Sequence, residues 1–148
     1  MQETMITIQV GRVNVTLLDL SSLEKALASL QVAIERSRTV PDDAVIRDAV
    51  IQRFEYSYEL CWRMLKRILE RESPVPASID GLSYRDLMRE GGERGIVANV
   101  EDWLVFRSQR NISSHTYDEA KARSVYRTAL EFLPAAQALL LQLQERNR

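Results

Sequence analysis

The chain has 148 residues, 20 Lys+Arg against 21 Asp+Glu, one Cys and one His. That length is one domain at about 150 residues per domain, long enough to bury a core. With only Cys61 and His115 on offer, an intrachain disulfide and a structural zinc site of four cysteines, or of a cysteine pair and a histidine pair, are excluded. A formal net charge of −1 removes the whole-protein basic field of a non-specific nucleic-acid coat and leaves room only for a local basic groove. No apolar run approaches the roughly 18 residues of a membrane helix. No cationic stretch followed by an apolar one opens the chain, so the expectation is a soluble, uncleaved, cytosolic protein.

Gly and Pro cluster and leave long uninterrupted segments, which favours helices over short strands. Residues 1–17 are the exception. Met5 to Val10 and Val13 to Leu17 are β-branched runs around Gly11-Arg12, which predicts a short strand pair or an arm. Ser21 or Ser22 is placed to cap a first helix, with Leu23, Leu27, Leu30 and Ile34 as its apolar stripe. Pro41-Asp42-Asp43 opens a long helix to about Arg71, carrying Val50, Phe54, Cys61, Leu65 and Ile68 inward, and Ser73-Pro74-Val75-Pro76 stops it. A loop leads to a short helix from about Ser83 to Glu90, ended by Gly91-Gly92. Asn99 caps a helix with Val100, Trp103, Leu104 and Phe106 that runs towards Arg110. The last helix opens on a capping box of Thr116 and Glu119 and continues through Phe132 to Leu143, with a kink expected at Pro134. The fold class is all-α: an antiparallel bundle of about five helices around a four-helix up-and-down core, with an N-terminal β segment. The division is an arm at 1–17 and a helical domain at 18–148, without internal repeats or low-complexity segments.

One stretch, Arg107 to Asp118, concentrates groups that a reaction could use. In one continuous helix Arg110 and His115 would stand roughly 140° apart, whereas a break between them can turn both towards one cleft. An imidazole exchanges protons at neutral pH, and a guanidinium holds a phosphate oxygen without losing its charge. Together they suit metal-independent RNA cleavage, in which a base frees a ribose 2′-hydroxyl to attack the adjacent phosphate while an acid protonates the leaving oxygen. In-line cleavage wants an acid and a base, yet each chain has one His. A two-fold homodimer would bring two imidazoles and two guanidiniums to one cleft. The plainer alternative is a His at a helix start and an Arg-Asn pair tying off carbonyls at a helix end.

Arg110-Asn111-x-x-x-His115-x-Tyr117 resembles the Arg-x4-6-His motif of HEPN domains, in the Arg-x4-His-x-Tyr form of HepT-type toxins. Leu18 to Leu27 and Ile46 to Trp62 are similar to segments of the related nucleotidyltransferase substrate-binding proteins, and the likeness covers about Leu18 to Leu143. Residues 1 to about 17 precede the family's usual start. The resemblance implies a HEPN-like all-α homodimer with Arg110 and His115 as ribonuclease residues and Asn111 beside them. It also implies a cognate MNT-type nucleotidyltransferase antitoxin that can transfer AMP to Tyr117, where added bulk and negative charge would exclude the RNA phosphate. The alternative within the same resemblance is a non-catalytic substrate-binding subunit of a nucleotidyltransferase complex.

Glu55, Glu59, Arg63, Arg67 and Arg71 recur every four residues along one ridge of the long helix. Its Arg63, Lys66, Arg67 and Arg71 end, together with Arg107, can line an RNA groove or form a solvated face. Glu55 and Glu59 lack a His or Asp at ligand spacing, so neither a metal nor another cofactor is expected. Tyr56, Tyr58, Trp62 and Trp103 read as core or interface aromatics, and Cys61 as a small buried hydrophobe.

Overall fold

The computed structural model describes residues 5–10 and 13–148, with side chains from residue 17 onward. Strand β1 (Met5–Val10) pairs antiparallel with β2 (Val13–Leu18) in a register running from Met5↔Leu18 to Val10↔Val13. Gly11-Arg12, between the two runs, lies outside the described residues. Six helices follow among the described residues: α1 (Ser21–Thr39), α2 (Ala44–Glu72), α3 (Pro76–Asp80), α4 (Tyr84–Glu93), α5 (Val100–Ile112) and α6 (Glu119–Arg146). No helix among them is long and apolar enough to cross a membrane.

The apolar stripes lie where their spacing puts them. Leu23, Leu27, Leu30 and Ile34 of α1, and Val50, Phe54, Cys61, Leu65 and Ile68 of α2, are all buried. Helix α2 is the axis of the bundle and contacts each of the other five helices. Phe132 of α6 is fully buried in an aromatic nest, with ring centroids 5.1 Å from Phe54, 5.3 Å from Phe106 and 5.8 Å from Trp103. These edge-on contacts bring α2, α5 and α6 to one point. Burial pushes the Cys61 thiol far above its ordinary range, so it stays a neutral hydrophobe. At the periphery Asn147 fastens the hairpin to the bundle: its Nδ2 donates to the Leu18 carbonyl (2.7 Å), and its Oδ1 accepts from the Leu18 amide (2.9 Å) and from Arg71 (2.8 Å).

Several element ends differ from the sequence-based expectation. The segment expected as a plain loop after α2 contains α3, which has Pro76 in its first turn, where a missing N–H costs no helical hydrogen bond. Helix α1 is capped by neither Ser21 nor Ser22. Leu20 is its boundary residue, and Asp19 Oδ1 accepts the Ser21 amide from outside the helix. Gly91-Gly92 does not end α4. A Cβ on Gly91 would lie 2.8 Å from Val97 and 3.2 Å from Leu65, so this glycine lets α4 approach α2. The stop comes at Gly95, with φ of 76°. The Gly95 amide bonds to Gly92 and the Ile96 amide to Gly91, the paired bonds of a Schellman terminus. Asn99 does bound α5, without a side-chain cap bond, and α6 runs through Pro134 without ending.

The nest predicts a specific cost. Phe132→Ala should lower unfolding free energy by about 3–5 kcal/mol, read by denaturant titration, because three helices lose their common contact at once.

Candidate functional site

The capping box expected at Thr116 and Glu119 does not form. Asp118 caps α6 instead, accepting the Lys121 amide on its side chain (3.2 Å). Its carboxylate serves the positive helix end better than a threonine hydroxyl does. The chain uses the extra residues to turn twice: the His115 amide bonds to the Ile112 carbonyl, and the Asp118 amide to the His115 carbonyl. His115 and Tyr117 therefore stand on a connection outside both helices, while Arg110 belongs to the last turn of α5. Released from capping, Glu119 receives both Arg47 terminal nitrogens (2.8 and 3.1 Å), which clamps the start of α6 to the start of α2. The Arg47 hydrogen bonds hold the Glu119 carboxyl below its ordinary value of 4.5. The clamp is fully present above that value and is lost as pH falls through the lower folded one.

Arg110 does not tie off carbonyls. It crosses to α2, where Nη1 donates to Glu55 Oε2 (2.8 Å) and to Ser113 Oγ (3.0 Å). The Ser113 hydroxyl lies 2.9 Å from the same Glu55 oxygen and 2.8 Å from the Arg110 carbonyl, one of which takes its proton. Glu59 Oε1 stands 3.6 Å from Arg110 Nε, a buried donor with no hydrogen-bond partner. The ion pair is two-thirds buried, with Arg110 31% and Glu55 26% exposed, and Ser113 is 1% exposed. The guanidinium is thus held by charge-assisted bonds in fixed geometry. His115 Nδ1 lies 2.9 Å from the Tyr117 hydroxyl, and Tyr117 is 83% exposed.

Two depressions flank Arg110. One, of about 360 Å³, is lined by Trp62, Lys66, Tyr84, Arg107, Arg110 and Asn111 with Glu59 and apolar residues of α3 and α4. The other, of about 320 Å³, is lined by Glu55, Tyr56, Glu59, Arg63 and Arg110. Arg110, Asn111, Lys66 and Arg107 are therefore brought together, with Arg63 on the far side of Arg110. His115 and Tyr117 line neither depression, and Arg67 is exposed outside both. The ridge read from spacing also divides. Arg63 pairs with Glu59 (3.7 Å), whereas Arg71 serves the end of α6. Trp62, expected as a core or interface aromatic, is half-buried at the cleft. Tyr58 and Trp103 are core. Burial raises the Tyr58 phenol to about 12 and Tyr84 higher still, so both stay protonated at neutral pH. Among the described residues no group of three or more His, Cys, Asp or Glu is placed to hold a metal ion.

The family model described as nucleotidyltransferase substrate binding protein like matches residues 18–145. The chain belongs to this family. A similar protein from Haemophilus influenzae, named "Probable ribonuclease HepT", is 33% identical over 139 residues, spanning 88% of this chain and 95% of that one. A solved Haemophilus influenzae structure, described as the fold of a substrate binding domain of a nucleotidyltransferase, matches with a TM-score of 0.81 at 32% identity, over 85% of this chain and 99% of that chain. A crystal structure from Thermus thermophilus matches with a TM-score of 0.68 at 30% identity, over 82% of this chain and 98% of that chain.

In this substrate-binding-family chain the sequence reading missed Glu55 and Ser113 as the groups that hold Arg110. A signal for Glu55 existed. Glu55 and Glu59 are like charges at i,i+4, which destabilise a helix unless a cation stands between them, and Arg63 answers only Glu59. Nothing in the local pattern marks Ser113. Glu55→Ala should lower stability by roughly 1–3 kcal/mol, since it leaves a two-thirds-buried guanidinium short of its charged partner. Glu55→Gln, which keeps an acceptor oxygen, should cost less in the same denaturant titration.

Proposed function

We propose that this chain is the toxin subunit of a toxin–antitoxin pair. It would be a metal-independent endoribonuclease whose site is completed by a second copy across a homodimer axis. A partner MNT-type nucleotidyltransferase would restrain it by transferring AMP to Tyr117. The observation that carries the reading is the anchored Arg110 guanidinium followed, one turn outside the helix, by an imidazole bonded to an exposed phenol. Membership of a family with a relative named as a probable ribonuclease supports it.

In the proposed reaction one His115 takes the proton of a ribose 2′-hydroxyl. The freed oxygen attacks the adjacent phosphorus, the phosphorus–O5′ bond breaks, and the second copy's imidazole protonates O5′. The products are a 2′,3′-cyclic phosphate and a 5′-hydroxyl. Arg110 stabilises the charge gathered on the non-bridging oxygens. In the tautomer whose Nδ1–H donates to the Tyr117 oxygen, Nε2 is the nitrogen left to take a proton as base and, once protonated, to give it as acid. Nucleotidylation replaces the Tyr117 phenolic proton by an O–P bond as diphosphate leaves ATP. That attaches bulk and negative charge to the very oxygen that lies 2.9 Å from His115 Nδ1.

A second reading follows from the cleft beside Arg110 and from the solved relative described as a substrate binding domain. In it the chain is a non-catalytic subunit that presents itself or a small substrate to the nucleotidyltransferase. Incubating purified protein with RNA in EDTA separates the two readings. The first expects cyclic-phosphate ends, with cleavage falling by about 10²–10⁴-fold in His115→Ala and Arg110→Ala. It also expects defective heterodimers when His115→Ala chains are mixed with unaltered ones. Intact RNA throughout, with a harmless phenotype when the chain is expressed alone, would favour the second.

A further inference from the structure

The cleft of about 360 Å³ beside Arg110 carries chemistry that phosphate cleavage does not use. Its walls are the half-buried Trp62 indole and the Tyr84 ring, set edge-on at 6.5 Å. Ile79, Leu82 and Leu87 add apolar lining, and Arg107 and Asn111 add polar lining. The Arg107 guanidinium covers one face of Tyr84 at 4.5 Å. The volume falls at the low end of the roughly 300–1,000 Å³ typical of small-ligand sites, suited to one planar group rather than a peptide segment. Aromatic and apolar lining, an amide that both donates and accepts, and guanidiniums in the same cleft match a splayed-out nucleobase and its phosphate.

We infer that this cleft takes an unpaired base of the RNA next to the phosphate held at Arg110, with Trp62 as its stacking wall. The inference rests on the ribonuclease reading for the identity of the strand that carries the base. Glu59 joins the two halves of the site: its Oε2 accepts the Trp62 Nε1–H at 3.0 Å and its Oε1 lies 3.6 Å from Arg110 Nε. One carboxylate therefore sets both the surface that stacks the base and the cation that holds the phosphate. A base engaged in a duplex cannot leave its stack without losing its pairing, so the cleft selects single-stranded or bulged RNA.

A short 2′-O-methylated oligonucleotide tests this on the unaltered protein, because capping the 2′-oxygen prevents cleavage and leaves only binding to be measured. Single abasic positions are stepped along the strand. One position should stand out, with affinity falling about fivefold or more when its base is removed, the lower bound of aromatic stacking on a base. Binding should quench indole fluorescence through Trp62, since Trp103 is only 2% exposed. Trp62→Ala should erase the difference between intact and abasic strands, and Trp62→Phe should largely preserve it. A flat abasic scan overturns the inference. If unmethylated RNA is still cut while the scan is flat, the ribonuclease reading stands without the base pocket. If the scan shows its position and no RNA is cut, the pocket stands and the ribonuclease reading falls. Quenching by a free nucleoside monophosphate together with a flat scan assigns the cleft to a free nucleotide and overturns the RNA occupant.

Discussion

A guanidinium two-thirds buried at the end of a helix is stable only if anions meet it there, and two carboxylates one turn apart on another helix are stable only if a cation separates them. The contact of Arg110 with Glu55 and Glu59 answers both requirements at once. Ser113 closes the arrangement by bonding to the guanidinium while lying against the carbonyl of the same arginine, so the end of α5 and the position of its last charged side chain are one structural event. The turn bearing His115 and Tyr117 starts from that point. It ends at the Arg47–Glu119 clamp, which returns the chain to α2. Both ends of the turn are thus referred to the same helix.

The electrostatics of this corner are finely balanced. Arg63, Lys66, Arg107 and Arg110 face Glu55, Glu59 and Asp80, and Lys66 is already engaged by Asp80 at 2.7 Å, whose carboxyl is held below its ordinary range by that bond. A phosphate approaching Arg110 competes with carboxylates already in place. In the proposed site a second copy's guanidinium tips that balance, and a stacked base adds attraction that charge alone does not supply. On that proposal a chain of net charge −1 would take an anion at a local group of cations without a basic surface overall.

Helix α2 serves the core and the site together. Its inward face carries Phe54, Cys61, Leu65 and Ile68 into the core, and its other faces supply Glu55, Glu59, Trp62 and Arg63 to the site and Arg47 to the clamp with Glu119. Core packing therefore holds the site residues in register, because no inward residue can shift without moving its outward neighbours. The N-terminal hairpin is peripheral to this arrangement, fastened at Leu18 by Asn147, which Arg71 holds in turn, at the C-terminal ends of α6 and α2.

Hydrophobic spacing is a local property, so the helical class, the buried stripes of α1 and α2, and the strand pair ahead of them were legible before any coordinates. So was the coincidence of Arg110, His115 and Tyr117 at a helix junction. Cap choice was not. Thr116 against Asp118, or Gly91 against Gly95, are near-equal local options, and the winner is decided by what the neighbouring helix needs, whether the freed Glu119 for Arg47 or a missing Cβ opposite Leu65. The partnership of Glu55 with Arg110 and Ser113, and the placing of Trp62 at a cleft rather than in the core, join residues dozens of positions apart. Only packing of α5 against α2 brings those side chains within bonding distance. The kinds of chemistry available were thus written in residue types and short spacings, and which groups act on one another was decided by the tertiary contacts of a single long helix.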